Sequence, residues 1–299
     1  MPDNNNSFCV RTNAGKETVL ITGGAGGIGM ELAKLFASDD YDIVLVDRDL
    51  KGLEDSKKAL NSVFPEIGIK LVEQNLSLPD SADQVYEFTQ ANGLDISVLV
   101  NCAGFGTYGF VGDIDQEREI DMLQLHVLTL YRMTRLYLKD MIGCNKGQIV
   151  NISSISAFQP NPYFATYGAS KSFVLNFSRA LNFELKERQS NVKVLSVCPT
   201  AVKGTGFQVS AGMERARTFG SWMAVTAEVV ARDTYTAIQR GKDVVIPGRG
   251  FGLLYSLICH LPTKWLMRIS RSQLKETSEG EFKHIFDVHS EREFNDTQR

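Results

Sequence analysis

The chain alternates between two hydrophobic rhythms. Short apolar, largely β-branched runs at 18–22, 42–46, 68–73, 96–100, 148–152, 192–198 and 243–247 have the length and composition of buried strands. Between them, apolar residues recur at helical spacing. Met30, Leu32, Ala33, Leu35 and Phe36 follow the first run, and segments 50–63, 79–90, 116–141 and 167–187 continue the pattern. Asp80 and Asp83 fall in the first turn of the segment 79–90, where the positive end of a helix dipole favours acidic groups. Strand followed by helix, repeated, predicts an α/β fold: one doubly wound, mostly parallel sheet of about seven strands with helices on both faces. No internal repeat, low-complexity linker or shift in composition divides the chain, so 17–250 reads as one domain. Residues 1–16 are polar and Asn-rich and read as a flexible leader; 251–271 read as an apolar helical extension and 272–299 as a polar, mobile tail.

The turn after the first run is Gly23-Gly24-Ala25-Gly26-Gly27-Ile28-Gly29. Strand, glycine turn and helix in that order form the first half of a βαβ unit. The glycines permit a tight turn and close backbone approach, and the helix start offers free N–H groups and a positive dipole end to a pyrophosphate. The second strand ends at Asp47, eighteen residues past Gly29, where an acidic side chain meets an adenosine ribose. Arg48 comes immediately after it. A carboxylate accepts from both ribose hydroxyls of NAD and repels a 2′-phosphate, whereas an arginine favours that phosphate or stacks on adenine. With Asp47 in place the expectation is NAD ahead of NADP. The fourth run ends in Asn101-Cys102-Ala103-Gly104, an amide and a glycine at a strand's carboxyl end, as suits a ligand crevice.

Composition narrows the class without choosing the chemistry. A net charge of −3 and the lack of a basic stripe interleaved with aromatics speak against nucleic acid as a partner. The five cysteines are scattered, with no Cys-x-x-Cys pair, which predicts neither a disulfide framework nor a metal site and fits a reducing, cytoplasmic setting. No apolar run reaches the ~18 residues that span a bilayer.

The candidate chemistry lies in 153–171. Tyr167 and Lys171 are four residues apart, so on a helix they share a face. A phenol titrating near 10 is a poor base at neutrality, and a cation one turn away draws its pKa toward the working range. Ser154, thirteen residues before Tyr167, sits at the end of the fifth strand within reach of the phenol. Tyr-x-x-x-Lys alone is a common surface pattern; its place after a glycine-loop unit gives it weight.

Thr22-Gly23-x-x-x-Gly27-x-Gly29, Asn101-x-Ala103-Gly104 and Ser154…Tyr167-x-x-x-Lys171, in this order and spacing, resemble the classical short-chain dehydrogenase/reductase family over 18–248. The resemblance implies a Rossmann-type fold and an NAD(P)-dependent oxidoreductase interconverting an alcohol and a carbonyl. Tyr167 would be its general acid/base. Lys171 would lower the Tyr167 pKa and bind the nicotinamide ribose, and Ser154 would polarise the substrate oxygen; Ser153 is a less well spaced alternative. Thr22, Gly23, Gly27, Ile28, Gly29, Asp47, Arg48, Asn75, Leu76, Asn101, Ala103, Gly104, Pro199 and Thr205 would line the cofactor site together with Tyr167 and Lys171. A homodimer or homotetramer is expected on the same ground.

Three departures from the family pattern stand out. His126 occupies the place of an active-site asparagine whose main chain helps hold a water joining the lysine to solvent; an imidazole titrating near neutrality could carry that relay, or pack there without a role. Thr200 replaces a glycine after the sixth strand, and Asn75 an aspartate after the third. The variable region 206–223, with Phe207, Val209, Met213, Phe219, Trp222 and Met223, is expected to form an apolar lid opposite Phe105, Phe158 and Tyr163. An apolar alcohol or ketone would fit beneath it. The segment 251–269, with Trp265 between Lys264 and Arg268, could lie on a membrane surface, but packing over the pocket or a partner subunit is the preferred expectation. Two rival functions are compatible with these residues: nucleotide binding in a regulatory role, and a non-redox reaction such as dehydration or epimerisation.

Overall fold

The computed structural model describes residues 16–214, 216–258 and 260–274. In chain order the first half comprises β1 (Thr18–Thr22), α1 (Gly27–Ser38), β2 (Asp42–Asp47), α2 (Leu50–Val63), β3 (Ile69–Glu73), α3 (Ser81–Ala91) and β4 (Ile96–Asn101). A long helical segment comes next as α4 (Gln116–Leu123), a π-turn at Gln124–Thr129 and α5 (Leu130–Gly143), leading to β5 (Gln148–Ile152). After α6 (Ala165–Glu187) and β6 (Lys193–Val197) come the short pieces β7 (Val202–Lys203), α7 (Phe207–Ser210), α8 (Arg217–Gly220) and β8 (Val225–Thr226). The described chain closes with α9 (Ala227–Gln239), β9 (Val244–Val245), α10 (Phe251–Ile258) and α11 (Thr263–Leu274).

Seven strands form one parallel sheet in the order β3-β2-β1-β4-β5-β6-β9, and β7 pairs with β8 apart from it. Period-two alternation explains why helices cover both faces. Val19, Ile21, Ile43, Leu45 and Val100 pack with α1 and α9 on one side. Leu20, Val44, Val46 and Leu99 pack with Val85, Met133, Tyr137 and Met141 on the other. The strand order reverses between β1 and β4, so the crevice of the sheet opens at their carboxyl ends, beside the glycine loop and Asn101.

Two element boundaries carry information. The helix expected over 116–141 is broken by the π-turn, within which His126 is buried; such turns recur at functional sites. The last helix runs to Leu274 rather than ending at 271, because Leu266, Ser270 and Leu274 form a buried stripe. Residues 1–15 of the expected leader and the remainder of the expected tail lie outside the described residues.

Candidate active site

At Gly29 the glycine loop packs against its own backbone too tightly for a side chain. A Cβ on Gly29 would stand 2.2 Å from the Gly23 carbonyl oxygen, so no side chain fits there. Thr22 at the end of β1 ties this loop to β4. Its Oγ1 accepts hydrogen bonds from the N–H groups of Cys102 (2.9 Å) and Ala103 (3.0 Å) and donates to the Val100 carbonyl at 3.3 Å. Asp47 Oδ2 accepts from the Ala25 N–H at 3.1 Å and Oδ1 from the Asp49 N–H at 3.2 Å, which fixes the carboxylate beside the loop. Arg48 is exposed at the same rim.

A continuous cavity of about 480 Å³ runs from this loop to α11. Gly23, Gly27, Ile28, Gly29, Asp47, Arg48, Asn75, Leu76, Ala103, Gly104, Pro199 and Thr205 all line it, as do Ser154, Tyr167 and Lys171. Thr205 lies close to the loop, its Cγ2 3.3 Å from where a Gly27 side chain would begin. Three expected site residues do not line the cavity. Thr22 is spent on the backbone bonds just described. Asn101 Nδ2 donates to Asn151 Oδ1 at 2.8 Å and Thr134 Oγ1 at 3.3 Å, behind the sheet's edge. His126 stands behind Gly104.

Ser154 caps the short 3₁₀ turn Ile155–Phe158, its Oγ accepting from the Ser156 N–H at 3.1 Å. Ser153 also borders the cavity, but its hydroxyl donates to the Lys171 carbonyl at 2.8 Å, which separates the two serines. Tyr167, in the first turn of α6, stacks on Phe164 (centroids 4.1 Å apart) and meets the edge of Phe207 at 5.5 Å. Burial pushes its phenol pKa up, and a hydrogen bond with Ser154 works in the opposite direction. The Lys171 ammonium is buried, donates to the Ile152 carbonyl at 3.0 Å, and has its pKa lowered by burial to about 8. In this structure desolvation is therefore the dominant influence on the phenol.

His126 is 1% exposed and its Nδ1 lies 3.0 Å from Ser170 Oγ. Ser170 Oγ also donates to the Tyr167 carbonyl at 2.7 Å. A hydroxyl has one hydrogen, so Nδ1 must carry the other and donate to Oγ. The hydrogen-bond network thus assigns the Nδ1–H tautomer and leaves Nε2 as a bare acceptor, buried without a partner. Burial, reinforced by Lys171, pushes the imidazole well below its ordinary pKa. That direction favours a neutral imidazole at this position over one that titrates near neutrality. Gly104 makes room for it, since a Cβ there would lie 2.8 Å from Nε2 and 3.5 Å from Lys171 Nζ.

The far end of the cavity is apolar, walled by Phe105, Phe164, Phe207, Met213, Phe219 and Met223. Thr200, in the place of the expected glycine, donates from Oγ1 to the Met223 carbonyl at 2.5 Å and so ties the strand end to this wall. Four expected wall residues lie elsewhere. Phe158 packs toward Tyr255 and Arg179, Tyr163 toward Tyr108, Val209 is exposed, and Trp222 is exposed against the edge of Phe251. Phe164 is an addition to the expected wall, although its position three residues before Tyr167 puts it on the same side of the chain. Tyr255, Ile258, Ile269 and Leu274 of α10 and α11 complete the wall. The buried Ser270 hydroxyl donates to Asn161 Oδ1 at 2.9 Å, and Asn161 Nδ2 donates to the carbonyls of Ser156 (2.8 Å) and Gln159 (2.7 Å). This chain of bonds anchors the last helix to the loop that carries Ser154.

The site has the parts of a dinucleotide-dependent enzyme, and comparison with known proteins places it. A 7β-hydroxysteroid dehydrogenase of Mediterraneibacter gnavus is 26% identical over 181 residues, 60% of this chain and 68% of that one. A very-long-chain 3-oxoacyl-CoA reductase of Rattus norvegicus is 33% identical over 189 residues, 61% of this chain and 58% of the reductase. A short-chain dehydrogenase of Sphingobium yanoikuyae, solved in complex with NADPH, superposes with a TM-score of 0.71 at 26% identity, covering 82% of this chain and 96% of that one. Residues 17–215 match the short chain dehydrogenase family, and with this sheet order and these relatives the chain belongs to that family of NAD(P)-dependent oxidoreductases.

Proposed function

We propose that the protein interconverts a large apolar alcohol and its ketone, with Tyr167 as general acid/base. The observation that carries this reading is the convergence of Ser154, Tyr167 and Lys171 on one cavity, with the glycine loop at one end and an apolar wall at the other. The dinucleotide, when bound, supplies or takes up the hydride. The residues present fit such a group: the tightly packed loop of Gly23, Gly27, Ile28 and Gly29 would hold its pyrophosphate, and Asp47 with Arg48 its adenosine ribose. Asn75 and Leu76 would border the adenine, and Ala103, Gly104, Pro199 and Thr205 the nicotinamide end. Thr22 and Asn101 act one step back, by holding the strand ends. Because Asp47 is anchored beside the loop and carries a charge that repels a 2′-phosphate, NAD is the preferred cofactor in this reading.

Tyr167 donates the proton to the substrate oxygen in reduction, and the buried phenol is in the right form for that step. In oxidation Tyr167 accepts the proton, so the Lys171 ammonium must offset the burial that holds the phenol protonated. Ser154 donates to the substrate oxygen and polarises it. His126 acts as a neutral acceptor behind Lys171, reaching toward the ammonium through a water at Gly104 rather than by a direct bond. The substrates named for the two curated relatives, a hydroxysteroid and a very-long-chain 3-oxoacyl-CoA, are both large and apolar, which agrees with the wall here.

A panel of 3-, 7- and 17-oxosteroids and long-chain 3-oxoacyl thioesters, assayed with NADH and with NADPH, tests the reading. Turnover is expected to fall about 10²–10⁴-fold in Tyr167→Phe, with cofactor binding retained. Bound cofactor with no turnover on any member of the panel would count against it.

A further inference from the structure

The helix pair α10 and α11 has two faces. The inner face lines the cavity through Tyr255, Ile258 and Leu274. On the outside Leu253 and Leu257 of α10, Leu261 between the two helices and Trp265 of α11 are exposed, Leu253 to 72% and Trp265 to 59%. Trp222, 69% exposed and 5.6 Å from the Phe251 ring, extends the same patch. A soluble surface rarely keeps so many large apolar side chains together without a partner.

The charges of the same segment indicate the partner. From 249 to 274 the sequence contains Arg249, Lys264, Arg268 and Arg271 and no Asp or Glu, in a chain whose net charge is −3. All four cations are exposed, and none is paired with a carboxylate among the described residues. The Arg268 guanidinium lies 6.0 Å from the centre of the Trp265 ring, so an apolar anchor and a cation sit side by side. A second copy of this chain, meeting the patch about a two-fold axis, would set cations against cations with no carboxylate in the segment to answer them. Anionic headgroups would neutralise them while the acyl boundary takes up the leucines and tryptophans.

We propose that the outer face of α10 and α11 docks on an anionic lipid bilayer, so that the apolar end of the cavity opens at the membrane surface. The sequence allowed either a pocket cover or a membrane face for this segment, and here one helix pair serves as both. The inference stands on the surface itself and does not depend on the reaction proposed above.

The test is co-sedimentation of the full-length protein with vesicles of phosphatidylcholine alone and of phosphatidylcholine mixed with phosphatidylserine. Binding is expected to the mixed vesicles, to be far weaker on phosphatidylcholine, and to weaken with added salt. Leu257→Ser with Trp265→Ser should lower vesicle affinity at least about tenfold, with an unchanged circular dichroism spectrum and unchanged NAD(H) binding. Lys264→Gln with Arg268→Gln should remove the preference for the anionic vesicles. No binding to mixed vesicles at low salt, or binding that both variants retain, overturns the proposal. So does a dimer, seen by light scattering, that dissociates in the Leu257→Ser/Trp265→Ser variant.

Discussion

His126 and Ser170 fix each other's hydrogens: Ser170 gives its own to the Tyr167 carbonyl, so the imidazole donates from Nδ1 and turns a bare Nε2 toward the Gly104–Lys171 side of the site. The histidine is thus tied through one hydroxyl to the backbone of the tyrosine and faces the lysine with its other nitrogen. Under the proposed mechanism an acceptor in that place stabilises the charged form of Lys171. His126→Asn retains a side-chain acceptor and is expected to keep the shape of the pH–rate profile. His126→Leu removes it, and the basic limb governed by Lys171 and Tyr167 should move to lower pH as the ammonium loses support. Because His126 is held neutral well below its ordinary range, neither variant should alter an acid limb. A profile unchanged in His126→Leu would reduce the residue to packing.

Gly104 tests the same corner by steric means. Alanine there would place a methyl group 2.8 Å from Nε2 of a side chain that is 1% exposed and has nowhere to swing. Gly104→Ala is expected to cost about 1–3 kcal/mol, the usual range for overpacking, and to lower turnover with it. Combining it with His126→Ala frees the space, so the double variant should be less destabilised than the sum of the singles. Denaturant unfolding of the four proteins of the cycle measures this; additive costs would mean that the two residues do not compete for one space.

How far the chain alone reveals this site depends on the range of each interaction. The sheet is readable because short apolar, β-branched runs and glycine turns are local signals, and the loop 23–29 and the pair Tyr167–Lys171 are compact motifs. The tautomer of His126 is not, because it depends on Ser170, which is 44 residues away in sequence. The raised phenol escapes the sequence for a related reason: one-turn spacing suggests a charge effect, whereas desolvation by Phe164 and Phe207 depends on tertiary packing. The expected lid is half right. Phe207, Met213, Phe219 and Met223 face inward while Val209 and Trp222 do not, since in pieces as short as α7 and α8 apolar character gives no direction.

Cofactor choice turns on one carboxylate. Asp47 is held by the Ala25 and Asp49 N–H groups, with Arg48 exposed beside it. Asp47→Ser removes the charge that repels a 2′-phosphate and leaves the arginine to attract it. If the lost repulsion is worth ~1.4 kcal/mol, the ratio of kcat/KM for NADP over NAD should rise about tenfold. Steady-state kinetics with both cofactors checks it. A wild-type enzyme that already prefers NADP, with a ratio unmoved by the substitution, would assign the discrimination to another residue.

Lys171 should be kept at the expense of stability. Its ordinary pKa of 10.5 is lowered to about 8 by burial, so between those values the unfolded chain holds a proton that the folded chain has released. Stability contributed by this group therefore rises with pH across that window, and below about 8 the buried ammonium carries its full cost, about 3 kcal/mol. Lys171→Met has similar length and no charge. It leaves the Ile152 carbonyl, now an acceptor at 3.0 Å, without its donor, which returns about 1–2 kcal/mol of the gain. The net expectation at pH 7 is a protein about 1–2 kcal/mol more stable than the wild type and almost without turnover. That advantage should shrink as pH rises from 8 through 10.5, above which lysine is neutral in both states. Paired denaturant titrations at neutral and alkaline pH measure both the sign and its disappearance; a variant less stable than the wild type at pH 7 would show that the hydrogen bond to Ile152 outweighs desolvation at this position.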